Sequence, residues 1–231
     1  MLISHPIILA GGYGKRLKSV VKDIPKVMAD INGKPFLEFI LDQLNHEGFK
    51  KVSLLIGFRG EIINNYFGDI FKNLEISYFF EKELLGTGGA IKNASKSLDF
   101  DKLLVLNGDT YHKISRKKFI KNITSKCNGI LCQEISNPSR YGIINIDKNN
   151  YVTKFEEKKE LNGNFFINAG TYLINCKDIE SYPEEKFSLE TQFMPSLIKK
   201  NNLKAYNLNG TFIDIGIPED LEKAKKFFIW N

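Results

Sequence analysis

Apolar residues in this 231-residue chain fall into short runs separated by amphipathic stretches and turns. Pro6 to Ala10 has the length and composition of a buried strand. A glycine-rich turn, Gly11-Gly12-Tyr13-Gly14, follows at once. Phe36, Leu37, Ile40, Leu41 and Leu44 then recur at helical spacing, and Gly48 ends that pattern. Val52 to Phe58 predicts a second strand, Glu61 to Phe67 a short helix, and Ile76 to Phe80 a third strand. Beyond a second glycine cluster, Gly86-Thr87-Gly88-Gly89, a helix is predicted from about Ala90 to Leu98. A fourth strand, Leu103 to Leu106, ends in Asn107-Gly108-Asp109. Strands alternating with helices predict a parallel sheet with right-handed crossovers, and ligands of such sheets sit at the carboxyl ends of the strands. The first glycine turn, Glu81 with the Gly86 cluster, and Asp109 all fall at such ends.

The second half changes character. Gly129 to Ile135, Gly142 to Ile146, Val152 to Phe155 and Asn164 to Ile174 read as strands, with the turn cluster Asp147-Lys148-Asn149-Asn150 between two of them. They predict a β-rich lobe beside the parallel sheet. Ser188 reads as a helix cap before Leu189, Phe193, Leu197 and Ile198. Thr211 to Ile215 is a further strand. Pro218 opens a last helix whose acidic residues come first and lysines later, an order that suits the helix dipole. No internal repeat or low-complexity tract interrupts the chain. The expected fold class is α/β: a Rossmann-like, mixed and mostly parallel sheet flanked by helices, in one domain with halves at about 1–125 and 126–231.

Composition is that of a globular protein, with 42% hydrophobic and 26% charged residues. No apolar run approaches the length of a membrane span. Met1 to Pro6 has neither a basic start nor an apolar signal core, so export is not expected and a cytoplasmic location is. Cys127, Cys132 and Cys176 lack paired metal spacing and read as apolar thiols of a reducing compartment. The net charge of +6 is compatible with acidic small substrates. No basic block is interleaved with aromatics, so nucleic acid is not an expected partner.

Candidate chemistry concentrates at the strand ends. Gly11, Gly12 and Gly14 leave room for a ligand at the backbone, and their N–H groups can meet an anion; a plain strand-to-helix turn accounts for them equally. Lys15 and Arg16 add cations there. Pro25 stiffens the segment that presents Lys26. The dinucleotide fingerprint fails at Leu17, where it needs glycine, and the Walker loop fails at Arg16. Asp109 and Asp214 each close an apolar strand, near Gly108 and Gly216, and either reads alone as a cap or turn former. Glu81 reads on its own as an exposed strand-end charge.

The string Gly11-Gly12-Tyr13-Gly14-Lys15-Arg16-Leu17, with the later Pro25-Lys26, resembles the signature of the sugar-1-phosphate nucleotidyltransferases. Together with Lys18, Asp23-Ile24 and Pro35-Phe36-Leu37 it looks most like the D-glycero-α-D-manno-heptose 1-phosphate guanylyltransferases. Lys15 departs from the Thr or Ser usual there. The resemblance implies the nucleotidyltransferase fold with a small β-rich sugar-binding lobe. It implies Arg16, Lys26 and Asp109 as catalytic residues. It implies nucleotide contacts from Ala10, Gly11, Gly12, Gly14, Lys15, Arg16, Lys26, Glu81, Gly86, Thr87, Gly88, Asn107, Gly108 and Asp109. Arg140-Tyr141-Gly142, Phe155-Glu156-Glu157-Lys158 and Asn168-Ala169-Gly170-Thr171-Tyr172 resemble the family's sugar-phosphate segments. From these come Tyr141, Gly142, Glu157, Lys158, Asn168, Gly170 and Thr171 as sugar-phosphate contacts, and Asp109 and Asp214 as Mg²⁺ ligands. The implied reaction takes GTP and D-glycero-α-D-manno-heptose 1-phosphate to GDP-heptose and pyrophosphate, for bacterial surface polysaccharide (capsule, lipopolysaccharide or S-layer glycan), by a homodimer. The alternatives are another hexose 1-phosphate such as mannose 1-phosphate, another nucleotide (UTP or CTP), or a non-catalytic regulatory binder of nucleotide sugars. Some relatives carry a left-handed β-helix after this point; here the sequence stops, and no such acyltransferase domain is expected.

Overall fold

The predicted alternation of strands and helices is realised as an α/β fold. A computed structural model describes residues 4–12, 17, 23–81, 83–123, 126–136, 138, 141–156 and 163–229. In chain order, β1 (Ser4–Leu9) precedes a 3₁₀ turn at Lys26–Met28, the small hairpin β2 (Asp30–Ile31) and β3 (Lys34–Pro35), α1 (Phe36–His46), β4 (Lys51–Ile56), α2 (Gly60–Phe67), β5 (Ile70–Phe71) and β6 (Leu74–Phe80). There follow α3 (Gly86–Ser95), β7 (Lys102–Asn107), β8 (Thr110–Lys113), α4 (Arg116–Asn122), β9 (Asn128–Ser136), β10 (Ile143–Ile146), β11 (Val152–Glu156) and β12 (Asn164–Asn175). The chain continues through α5 (Cys176–Glu180), a π-helical turn at Leu189–Phe193, α6 (Met194–Lys199), β13 (Leu203–Asn207), β14 (Thr211–Asp214) and α7 (Pro218–Phe227). These elements belong to two compact units. The first consists of Pro6–Leu84, Leu106–Lys113 and Thr211–Asn231, the second of Met1–His5, Leu85–Val105 and Ile114–Gly210.

In the first unit β1, β4 and β6 run parallel, with Ile8 opposite Leu54 and Leu54 opposite Tyr78. The short β5 pairs antiparallel with the start of β6. α1 and α2 supply the crossovers, as the alternating pattern predicts. All five periodic residues of α1 are buried, and each side chain so removed from water contributes roughly 1.5–3 kcal/mol. Gly48, just past the helix end, takes φ +78°, the left-handed stop that glycine permits. β14 pairs antiparallel with β8, which sets Asp214 opposite Thr110. α7 opens at Pro218, with Glu219 and Asp220 in its first turn and Lys225 and Lys226 in its last. Past its end, Phe228 stacks on Phe39 with centroids 3.9 Å apart and meets Phe36 and Tyr111 edge-on.

In the second unit β12 pairs antiparallel with β9 and β10, β10 with β11, and β13 lies parallel to β9. This is the β-rich lobe of the sequence reading. The register of β12 against β9 shifts between Asn168 and Tyr172, and Gly170, inside that bulge, has φ +66°. Cys132 and Cys176 are buried and Cys127 partly so; burial pushes the Cys132 thiol up to about 12 and Cys176 to about 11, so both behave as apolar side chains. Several boundaries differ from expectation, β4 among them, which stops at Ile56 rather than Phe58. α3 begins at Gly86 rather than about Ala90, because the glycines that read as a turn form its first turn. Ser188 does act as a cap, accepting from Thr191 N at 3.2 Å, but the helix it opens begins with a π turn in which Phe193 N reaches back to Ser188 O at 3.1 Å.

Candidate active site

In the first unit the parallel strands end together, as doubly wound sheets require. Ala10, Gly11 and Gly12 follow β1, Gly57 follows β4, and Glu81 follows β6. Ala10 N donates to Leu55 O at 2.8 Å, and Glu81 N donates to Ile56 O at 2.9 Å, so the ends are tied through β4. A Cβ on Gly57 would lie 3.1 Å from Gly11 O, and one on Gly11 3.3 Å from Gly57 N. Two backbones therefore pass with less room than a side chain ordinarily has. Gly57 is a member of this group that sequence reading did not single out; a glycine at the end of an apolar strand was the available signal. Gly12 differs from both. It is exposed, and a Cβ there would meet nothing within 4 Å. Glu81 is half-buried, and desolvation holds its carboxyl above the usual range.

The charged centre of this unit is Lys26. Pro25, at φ −57°, leads into the 3₁₀ turn, and the burial of Val27 and Met28 anchors it. The side chain of Lys26 is 11% exposed, and its Nζ donates to Asp109 Oδ2 at 2.5 Å. Asp109 follows Gly108, whose N–H donates to Leu9 O at 3.0 Å and where a Cβ would come within 2.6 Å of that same oxygen. Asn107 and Gly108 thus carry the chain from β7 past the end of β1 to Asp109. Ile215 N donates to Asp109 O at 3.0 Å, which brings the end of β14 and Asp214 alongside. Asp214 Oδ1 accepts from Gly216 N at 2.5 Å. A Cβ on Gly216 would lie 3.9 Å from Lys26 Nζ, so lysine and both aspartates share one neighbourhood. Burial first, and then the negative charge of Asp109, push the Asp214 carboxyl up to about 6. Two carboxylates facing one ammonium leave net negative charge here, which suits a small divalent cation with ligands still to come from a polyanion. Among the described residues no three metal-ligating side chains converge, so Asp109 and Asp214 fit Mg²⁺ only with oxygens supplied from outside the protein.

The second unit holds the other candidates. Gly86, Thr87 and Gly88 open α3, yet the polar groups of that end are engaged by the chain itself. Gly88 N and Gly89 N donate to Phe187 O at 3.0 and 3.2 Å, and Phe187 N donates to Leu85 O at 2.9 Å. Cβ atoms on Gly86, Gly88 and Gly89 would come within 2.5 Å of Phe187 O, 2.2 Å of the Phe187 ring and 2.4 Å of Glu185 O. The glycines make room for residues 185–187. Lys92, buried on the same helix, donates to Tyr182 O and Glu184 O at 2.7 and 3.2 Å and pairs with Glu185 at 2.8 Å, fastening that segment. Asn168 N donates to Gly142 O at 3.2 Å, which links two of the sugar-phosphate candidates. Tyr141 is partly exposed and Thr171 is 3% exposed. A Cβ on Gly142 would press on the Phe155 ring at 2.8 Å. Gly14, Lys15, Arg16, Glu157 and Lys158 lie outside the described residues.

Residues 5–229 match the model of the nucleotidyl transferase family. The chain is 44% identical over 216 residues to D-glycero-alpha-D-manno-heptose 1-phosphate guanylyltransferase of Campylobacter jejuni, covering 93% of this chain and 95% of that protein. It is 40% identical over 224 residues to the protein of the same name from Aneurinibacillus thermoaerophilus, covering 95% and 96%. Among solved structures it resembles HddC from Yersinia pseudotuberculosis complexed with GMP-PN, with TM-score 0.88, 41% identity and coverage of 98% and 100%.

Two outcomes are expected from this geometry. Gly88→Ala should lower stability by about 1–3 kcal/mol through overpacking against Phe187, whereas Gly12→Ala should stay within about 0.5 kcal/mol of the parent; urea titration of each reads the difference. In metal-free protein, Asp214 favours its protonated form in the fold, so its contribution to stability is full below about 3.8, its ordinary value, and is lost as pH rises through about 6. Asp214→Asn should therefore gain on the parent between pH 5 and pH 8, by on the order of 2 kcal/mol, and Mg²⁺ at pH 8 should raise the melting temperature of the parent more than that of the variant.

Proposed function

The chain belongs to the nucleotidyl transferase family, and from that premise we propose that it transfers GMP from GTP to D-glycero-α-D-manno-heptose 1-phosphate, forming GDP-heptose and pyrophosphate. The reading is supported by similarity to two heptose 1-phosphate guanylyltransferases along nearly the full length of both proteins. The observation that carries the chemistry is the Lys26–Asp109 pair with Asp214 beside it.

A sugar-phosphate oxygen attacks the α-phosphorus in line, the bond to the bridging oxygen of the β-phosphate breaks, and pyrophosphate leaves with that electron pair. The attacking phosphate is already ionised near neutral pH, so no general base is called for. Catalysis then consists of positioning two anions and offsetting their repulsion. Lys26, held by Asp109 before substrate arrives, is set to shift its charge onto the triphosphate as negative charge builds on the leaving group. Arg16 shares that role. Gly11 and Gly12 let the triphosphate approach the backbone, with Ala10, Gly14, Lys15, Asn107 and Gly108 along the same path. Glu81 accepts from N1–H and the 2-amino group of guanine. Lys158 holds the sugar phosphate, and Glu157 and Asn168 meet sugar hydroxyls. Asp109 and Asp214 would hold Mg²⁺, which when bound offsets the charge of the α-phosphate and the incoming oxygen.

The same reading extends to a cytoplasmic homodimer that feeds synthesis of capsule, lipopolysaccharide or S-layer glycan in a bacterium. No described helix is long and apolar enough to cross a membrane.

Pyrophosphate release, measured with Mg²⁺ across four nucleoside triphosphates and several sugar 1-phosphates, tests the proposal. Release with GTP and the manno-heptose phosphate is the expected result. Release only with another pair, mannose 1-phosphate or UTP among them, would replace the substrates and keep the chemistry; none with any pair, beside tight binding of a nucleotide sugar, would make the protein a regulatory binder. Lys26→Ala should fold normally and lose about a hundredfold or more in kcat, the cost of removing one donor to developing negative charge.

A further inference from the structure

Glu190 has no place in the machinery so far described, yet it joins two parts of the second unit that do. It lies in the π-helical turn Leu189–Phe193, a conformation rare in proteins and frequent at functional positions. Its Oε2 accepts from the Thr87 hydroxyl at 3.2 Å, and its Oε1 accepts from the Tyr172 hydroxyl at 3.1 Å. The tyrosine oxygen in turn accepts from Asn168 Nδ2 at 2.7 Å, and Asn168 Oδ1 accepts from Gly170 N at 3.0 Å. Thr87 Oγ1 also accepts from Leu189 N at 2.8 Å.

The polarity of this chain is settled by chemistry. A carboxylate only accepts, so both hydroxyls must donate to Glu190. The tyrosine oxygen is then left as an acceptor, which obliges Asn168 to present its NH₂ towards Tyr172 and its carbonyl oxygen to Gly170. The Asn168 amide is thereby held at both ends in one orientation. The β12 bulge makes this possible, because the register shift between Asn168 and Tyr172 lets two side chains four residues apart meet. One carboxylate thus fixes Thr87, at the start of α3, and Asn168, on β12.

We propose that Glu190 is a positioning residue for nucleotidyl transfer, its carboxylate setting the Thr87 hydroxyl on one arm and, through Tyr172, the Asn168 amide on the other. This rests on the nucleotide contact that the family resemblance implies for Thr87 and on the sugar contact proposed above for Asn168.

Steady-state pyrophosphate release by the full chain tests it, with GTP and the sugar 1-phosphate varied in turn. Glu190→Ala should raise KM for both substrates, by roughly ten- to a hundredfold, the worth of a lost hydrogen bond to a charged group, with a smaller fall in kcat. Glu190→Gln, which keeps one acceptor oxygen, should recover part of that loss. Tyr172→Phe cuts only the Asn168 arm and should raise KM for the sugar phosphate alone. Combined with Glu190→Ala it should add nothing further to that constant, since both changes break one chain. A residue of merely structural importance would instead lower the melting temperature and the active fraction and leave both KM values where they were. KM values within about twofold of the parent in Glu190→Gln and Tyr172→Phe, or equal effects of Tyr172→Phe on both substrates, would overturn the proposal even if Glu190→Ala does not fold. Turnover by the parent with unmoved constants in the variants rejects this role alone. No turnover by the parent with any pair rejects the functional reading and this role together.

Discussion

Backbone passing against backbone without intervening side chains is the constraint on which this structure rests. It occurs where Gly11 meets Gly57, where Gly108 meets the Leu9 carbonyl, and where the first turn of α3 meets Phe187. Each contact uses glycine for space rather than for unusual dihedrals, Gly86 at φ +73° being the exception. In the first unit the result is a set of strand ends held in register at the rim of a parallel sheet. In the second, the start of a helix is capped by a carbonyl from a segment about a hundred residues on. Glycine clusters invite interpretation as ligand cradles, and among the described glycines of the two clusters the space beside the backbone is open at Gly12.

The charges follow from that frame. Once Gly108 has carried the chain past the end of β1, Asp109 is fixed by backbone bonds on both sides, and the β8–β14 pairing brings a second carboxylate beside it. Desolvation of Asp214, and then the neighbouring charge of Asp109 that a single ammonium does not balance, make that carboxyl hold its proton to unusually high pH. That imbalance leaves the centre with charge that a cation would offset. A resting Lys26–Asp109 pair keeps the lysine ordered, at the small entropic cost of one side chain held in place.

Much of this was legible in the sequence, and the reasons are local. β1, β4, β6 and α1 follow from hydrophobic period alone, and Gly48 and Pro218 mark helix limits by their own stereochemistry. The hairpin of β2 and β3 turns on Asn32-Gly33, both at positive φ; the signal is a dipeptide, and a pattern of apolar positions does not display it. α4 is lysine-rich and short, with Ser115 as its cap. β8, α5 and β13 likewise offer too few residues to establish a period. The start of α3 was misplaced because glycine is a poor helix former, and what overrides that tendency is a contact with Phe187, invisible at that distance along the chain. Lys26 and Asp109 stood out because each follows a proline or glycine that stiffens or frees its segment, and Asp214 because it closes an apolar strand two residues before Gly216. Glu190 did not, since a glutamate ahead of an amphipathic helix looks like any first-turn acid until Thr87 and Tyr172 are found around it.

The first unit is begun by Pro6 and completed only by the stretch from Thr211 onward. On the ribosome, therefore, Asp109 emerges long before its companion carboxylate, and β8 waits without the strand that pairs with it. Early folding of this unit must proceed with an unfinished edge, and its charged centre is assembled only once β14 has been made. Termination anywhere between Asp109 and β14 would yield a chain that holds one carboxylate of the pair and no complete centre.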